Sequence, residues 1–176
     1  IKDGVARITV NPNAARSMVG LLADHPPPSA VRFFGVQEAR VPADQCDAVR
    51  MKFEKAGWHA DFIPCAGAGP TASAGVALIS RIGWSAKRIT SEVVGIDIPT
   101  SPYFGFWLSE GVFSGGFIIV VLYLIDSIGM VHPSTSMMDQ VAAVLYALGK
   151  PFVILADWNL NPTVLEASGW LRNIKG

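Results

Sequence analysis

The sequence predicts an α/β (α+β) layered sandwich, with mixed, largely antiparallel β-sheets and helices packed outside. Three observations point there. Short Val-, Ile- and Phe-rich runs of strand length recur along the chain, and segments with helical spacing stand between them. Hairpin signals such as Gly115-Gly116 interrupt the strand runs, which favours antiparallel pairing. No Pro-, Gly- or Ser-rich linker divides the chain, so residues 1–176 read as one domain.

Taken in order, residues 5–10 read as a strand and Asn11-Pro12-Asn13 as a turn. Asn13 is placed to cap a helix carrying Ala14, Met18, Leu21 and Leu22, which Pro26, Pro27 and Pro28 terminate. Residues 31–36 form a short apolar strand ending at Gln37-Glu38. Asp44 caps the next helix, whose buried face is Cys46, Val49, Phe53 and Ala56. Lys52 and Lys55 suit its last turn, and Gly57 ends it. Strands follow at residues 58–64 and 75–80, separated by a small-residue loop over 66–74. Residues 84–98 read as one or two strands with a loop. Residues 104–108 and 116–125 are further strands. Residues 134–149 are helical, with Met138, Val141, Leu145 and Leu148 on one face. A buried strand follows over 151–155, and Asn161-Pro162 opens a last short helix.

Composition narrows the classes of function. Hydrophobic residues make up 51% and charged residues 16% of the 176, which excludes a disordered chain and allows a sizeable core. The mean hydropathy of +0.38 raises the question of a membrane span. The longest apolar run, residues 117–125, falls well short of the ~20 residues that crossing requires. Its Val/Ile content suits a strand buried on both faces. Lys+Arg and Asp+Glu both number 14, so there is no basic surplus of the kind a dedicated nucleic-acid binder carries. Cys46 and Cys65 match no zinc or redox spacing and read as reduced thiols. Lys2, Asp3 and Arg7 break any leader-like apolar run, so an intracellular setting, cytoplasmic or nuclear, is expected, with no obligate protein partner. The chain starts without Met and ends at Lys175-Gly176 just after an element begins, and both ends read as cut.

The candidate chemistry lies where polar groups directly follow buried strands. Asn11 follows residues 5–10, Glu38 follows 31–36, and Asp157 and Asn159 follow 151–155. Loops at the carboxyl ends of strands in layered α/β folds are where ligands gather. Two carboxylates and two amides at one sheet edge make an oxygen-rich site of the kind that hard cations prefer. Each residue alone reads equally as a turn former or a solvated loop charge.

Val36-Gln37-Glu38 after its strand resembles the "QE" motif of the endonuclease/exonuclease/phosphatase superfamily, and Ala156-Asp157-Trp158-Asn159 resembles its "GDxN" motif. Residues 75–79 resemble the family's central strand, and Val120-Val121-Leu122-Tyr123 its "vY" strand. From Tyr123 onward the chain is similar to endonuclease-like domains of retroelement polyproteins. Tyr123-Leu124, Ser127, Gly129, Asp157-Trp158-Asn159, Pro162, Leu165 and Gly169-Trp170-Leu171 carry that likeness. The resemblance implies a DNase I-like fold, Mg²⁺ as cofactor with Mn²⁺ as an alternative, and DNA as substrate. It implies that Glu38 ligates the metal, helped by Asn11, with Asn13 the other candidate for the family's asparagine. Tyr123 would contact the scissile phosphate, Asp157 would orient the attacking water, and Asn159 would stabilise charge on phosphorus.

Two departures from the family pattern stand out. Ala156 replaces the glycine of "GDxN", where strain or a small shift is expected. The family's C-terminal "SDH" segment has no counterpart in these residues, so the domain is expected to lack its C-terminal part. His25, His59 and His132 match no family position and read as structural or solvent-exposed. The GxGxxA-like stretch at Gly67 precedes a strand, whereas dinucleotide binding needs it to open a helix. Trp58, Trp84, Trp107 and Trp170 read as core, and Trp158 stands apart between Asp157 and Asn159.

The leading expectation is a Mg²⁺-dependent phosphodiester hydrolase of retroelement endonuclease type. The alternatives are an inactive fragment or degenerate copy that keeps only the fold, and a phosphatase or small-molecule phosphodiesterase of the same superfamily. A membrane-associated or binding domain is suggested by hydropathy alone.

Overall fold

The computed structural model describes residues 14–67, 73–84, 86–111 and 114–174. The strand read at residues 5–10, and Asn11 and Asn13 with it, lies outside the described residues. The elements run α1 (Ala14–Asp24), β1 (Phe33–Val36), α2 (Cys46–Lys55), β2 (Trp58–Ile63), β3 (Val76–Arg81), β4 (Ala86–Arg88) and α3 (Ser91–Val94). They continue with β5 (Phe104–Ser109), β6 (Phe117–Tyr123), α4 (Ser134–Leu148), β7 (Phe152–Asp157), α5 (Pro162–Ala167) and α6 (Trp170–Asn173).

Two sheets form. One is antiparallel with order β1-β3-β2, and the other has order β4-β5-β6-β7. Within the second, β6 and β7 run parallel, joined through α4, while the other pairs are antiparallel. The two-residue alternation of each strand then builds four layers. Phe34, Val36, Trp58, Ala60, Phe62, Ala77 and Ile79 face α1 and α2, where Met18, Leu22, Val49 and Phe53 meet them. Phe33, Val76 and Leu78 face the second sheet and pack on Trp107, Ile119, Val121 and Leu155. The outer face of that sheet, with Phe104, Phe106, Val120 and Leu122, is covered by Met138, Val141, Leu145, Leu165 and Trp170. All seven residues of β6 are buried, as its uninterrupted apolar run requires of a strand covered on both faces.

Two polar clasps tie the sheets together at opposite edges. At one, Asp61 of β2 takes Arg88 Nε at 2.8 Å and Trp107 Nε1 at 2.7 Å on Oδ2, and Arg88 Nη2 at 2.5 Å on Oδ1. At the other, buried Gln37 donates from Nε2 to the Leu155 carbonyl of β7 at 2.8 Å. Beside that second clasp Gly35 lets the sheets close, since a Cβ there would stand 2.8 Å from Leu155 Cβ and 3.2 Å from Val121 Cγ2.

Several expectations change. Asp44 does not cap α2; it sits in a 3₁₀ turn over Ala43–Gln45, and Gln45 occupies the cap position without a side-chain capping bond to the helix. Residues 84–98 hold one three-residue strand and then a short helix. Thr90 in extended conformation and Glu92 in the first turn start α3, and Gly95 in left-handed conformation stops it. The last helical stretch is two helices, because Gly169, with φ of +71°, turns the chain between α5 and α6. Asn161 does cap α5, accepting from Thr163 N at 2.9 Å. Ala156 carries no strain: it lies in the regular parallel ladder opposite Leu122, buried in the outer core, and is absent from the positive-φ residues. No helix among the described residues is long and apolar enough to cross a membrane.

Candidate active site

The carboxyl ends of β1 in the first sheet and of β6 and β7 in the second meet at one end of the sandwich. Parallel pairing sets Tyr123, the last residue of β6, opposite Asp157, the last residue of β7. Tyr123 belongs to the inter-sheet face, so its ring projects toward the first sheet. There its hydroxyl donates to Glu38 Oε1 at 2.8 Å, joining residues 85 apart in sequence. Arg40 Nη2 approaches the same carboxylate oxygen at 3.2 Å. Asn159 is placed by its amide, which donates from Nδ2 to the Leu124 carbonyl at 2.7 Å. The Leu124 N–H in turn donates to the Asp157 carbonyl at 3.0 Å.

The electrostatics define what Tyr123 can do. Burial pushes its pKa well above the usual phenol value. The hydrogen bond to Glu38 and the negative charges of Glu38, Asp157 and Asp126 push the same way. The phenol therefore keeps its proton to higher pH than a free tyrosine. Three carboxylates act on it: Glu38 after β1, Asp126 after β6, and Asp157 at the end of β7.

Backbone strain collects at this end. Among the described residues, five without glycine have left-handed φ: Glu38 (+49°), Arg40 (+47°), Ala74 (+59°), Ser127 (+66°) and Asn159 (+44°). Glu38 and Arg40 follow β1, Ala74 precedes the antiparallel β3, and Ser127 and Asn159 follow β6 and β7. Such conformations cost about 1 kcal/mol or more each and persist where surrounding contacts enforce them, commonly at functional sites. The enforcing contacts are present here: Ala39 N donates to the Gly75 carbonyl at 2.8 Å and Arg40 N to the Ala74 carbonyl at 3.1 Å.

The structure brings Glu38, Tyr123, Asp157 and Asn159 to the same end of the sandwich, while Asn11 lies outside the described residues. His25, His59 and His132 are all exposed. Trp58, Trp107 and Trp170 are buried, and Trp158 is half-buried, edge-on to Trp170 at 5.8 Å between ring centroids. Sequence reasoning missed Arg40, although a cation two residues after a strand-end carboxylate is a readable signal. It also missed Tyr103, whose ring stacks on Tyr123 at 6.2 Å with 10° between planes, and whose carbonyl accepts the Tyr123 N–H at 2.7 Å. No local pattern marks Tyr103, because the contact exists only once β5 pairs with β6.

The oxygen donors at this end are the Glu38 and Asp157 carboxylates and the Asn159 amide. Among the described residues no group of three or more His, Cys, Asp or Glu side chains could hold a metal unaided. Mg²⁺ needs no such cage, since one or two carboxylates suffice when water and phosphate oxygens complete the shell. The Glu38 carboxylate already attracts a cationic partner, the Arg40 guanidinium.

Comparison with solved structures shows that the four-layer architecture is a DNase I-like fold. The catalytic domain of human Nocturnin superposes with a TM-score of 0.53 at 15% identity, covering 88% of this chain and 61% of that one. ANGEL2, a 2′,3′-cyclic phosphatase, superposes at 0.55 with 12% identity, covering 85% of this chain and 44% of that one. The endonuclease domain of TRAS1, a telomere-specific non-LTR retrotransposon, gives 0.55 at 11% identity, covering 97% and 71%. The chain therefore spans less than two thirds of Nocturnin's catalytic domain and under half of ANGEL2. No protein-family model matches the chain, and no curated protein is similar enough to match it.

Proposed function

We propose that this chain is a Mg²⁺-dependent phosphodiester hydrolase domain, acting on DNA as a retroelement-type endonuclease. The observation that carries the reading is the Tyr123–Glu38 hydrogen bond at the end of the sandwich where Asp157 and Asn159 also emerge. Glu38 would hold the cation, with Mn²⁺ able to substitute for Mg²⁺; Asn11, outside the described residues, remains the proposed second ligand. When bound, the cation supplies positive charge to a phosphoryl oxygen. Tyr123 has one O–H, given to Glu38 here, and would redirect it to the phosphate once Glu38 holds the cation. Asp157 is suited to accept a proton from, and so orient, an attacking water. Asn159, locked by Leu124, presents an amide dipole to the negative charge that grows on phosphorus.

The test is nicking of supercoiled plasmid with Mg²⁺ against EDTA, for the wild type and for Glu38→Gln and Asp157→Asn. Loss of about a hundredfold or more in rate is expected for each variant. Unchanged rates in both variants sink the assignment. A second reading, hydrolysis of a small phosphodiester or phosphomonoester, draws on the zero net charge, which gives no general attraction to a polyanion. Cleavage of bis-p-nitrophenyl phosphate or p-nitrophenyl phosphate with plasmid left intact would select it.

A further inference from the structure

We infer that Arg40 is a phosphate-binding residue of this site, held on Glu38 until a divalent cation takes over that carboxylate. The inference rests on the phosphodiesterase reading above and adds a residue and a sequence of events to it.

Arg40 meets Glu38 through one nitrogen only, Nη2 at 3.2 Å from Oε1, and that oxygen also receives the Tyr123 hydroxyl at 2.8 Å. Its Nε is buried and has no acceptor among the described residues. The guanidinium is thus partly satisfied on Glu38, using one arm of a fork built for two. Arginine binds phosphate best through two parallel N–H donors, a geometry that a shared carboxylate oxygen does not supply. The side chain is 35% exposed, so its head can leave Glu38 without unpacking the core.

The backbone beneath it stays put. Glu38 and Arg40 both hold left-handed φ, Ala39 between them is buried, and the amides of Ala39 and Arg40 are bonded to the β3 approach. Exchange of partners is therefore a rotation of one side chain. A divalent cation held by Glu38 would repel the guanidinium and neutralise the charge that held it. The freed head would stand beside Glu38, where the proposed cation would draw a phosphate, and phosphate oxygens offer acceptors to both Nε and Nη2. Cation first, then phosphate on arginine, is the order this geometry favours.

The experiment compares wild type, Arg40→Met, Arg40→Lys and Glu38→Gln. Mn²⁺ binding is followed by electron paramagnetic resonance, and inorganic phosphate binding by calorimetry with and without Mg²⁺. Thermal melts confirm that each variant is folded, and Arg40→Lys serves where Arg40→Met is not. Arg40→Met is expected to bind Mn²⁺ several-fold more tightly than wild type, having lost the competing cation. Wild type should bind phosphate about tenfold more tightly with Mg²⁺ than without, a gain that Arg40→Met loses and Arg40→Lys keeps only in part. Mn²⁺ affinity unchanged in both arginine variants overturns the inference, and so does a Mg²⁺-linked phosphate gain that survives in them. Mn²⁺ binding that is the same in Glu38→Gln as in wild type overturns the metal reading itself, and this inference with it.

Discussion

Removal of the Asp61 carboxylate is the sharpest test of how the two sheets are held. In Asp61→Ala three donors lose their acceptor: Trp107 Nε1, Arg88 Nε and Arg88 Nη2. Trp107 is fully buried, so its indole N–H is left without a partner in the core, at about 1–3 kcal/mol. The ion pair is 30% exposed on Arg88 and 23% on Asp61, so water screens it, and Arg88 keeps its bond to the Phe62 carbonyl. Its loss adds about 1 kcal/mol. The sum is about 2–4 kcal/mol, which at a urea slope of about 2 kcal/mol/M for a domain this size moves the midpoint down by roughly 1–2 M. Urea unfolding at pH 7, read by tryptophan fluorescence, measures it. Asp61→Asn retains an acceptor for Trp107 and should fall between wild type and Asp61→Ala. A cost below about 1 kcal/mol for Asp61→Ala, or equal costs for the two variants, refutes the clasp as described.

Two further outcomes follow from the inter-sheet layer. Gly35→Ala forces a methyl against Leu155 and should destabilise by about 1–3 kcal/mol, with partial recovery in Gly35→Ala/Leu155→Ala; urea unfolding without such recovery would count against close sheet approach as the cause. Tyr123→Phe, measured in EDTA, should lower stability by about 1–2 kcal/mol at neutral pH through the lost bond to Glu38. The raised phenol pKa adds a pH signature. The folded chain holds this proton above the unfolded value of 10.0, so the contribution is whole below that pH and declines above it. Wild type should therefore lose up to about 1.4 kcal/mol per pH unit above pH 10 relative to Tyr123→Phe, and identical slopes in urea titrations at pH 9.5–11 would contradict it.

Much of this arrangement is legible from residues alone, and the limits have physical causes. The run at 117–123 and the spacing of Met138, Val141 and Leu145 encode burial directly, so β6 and α4 are readable. The strand-end positions of Glu38 and Asp157 follow in the same way. Asp44 misleads because a capping side chain and a 3₁₀ turn share composition, and only the backbone decides between them. Residues 84–98 mislead because Ile89, Val93, Val94, Ile96 and Ile98 suggest strands, while Thr90 and Gly95 punctuate a single helical turn. Ala156 looks like a liability only until its ladder partner Leu122 is known. Tyr103 and the Gln37–Leu155 bond are invisible in sequence because they depend on which strands become neighbours. Hydrophobic period identifies a buried face but not the residue it will meet.

The left-handed residues around the site have a consequence for binding thermodynamics. Glycine would occupy those backbone angles more comfortably, yet it would also leave the rim free to wander among many conformations. Glu38, Arg40, Ala74, Ser127 and Asn159 have far fewer alternatives in the folded chain. A ligand arriving at this edge meets loops whose shape is already set, and little backbone entropy remains to be lost on association. Affinity at such a rim should respond mainly to charge and geometry, with calorimetric signatures free of the large ordering penalty that marks coupled folding.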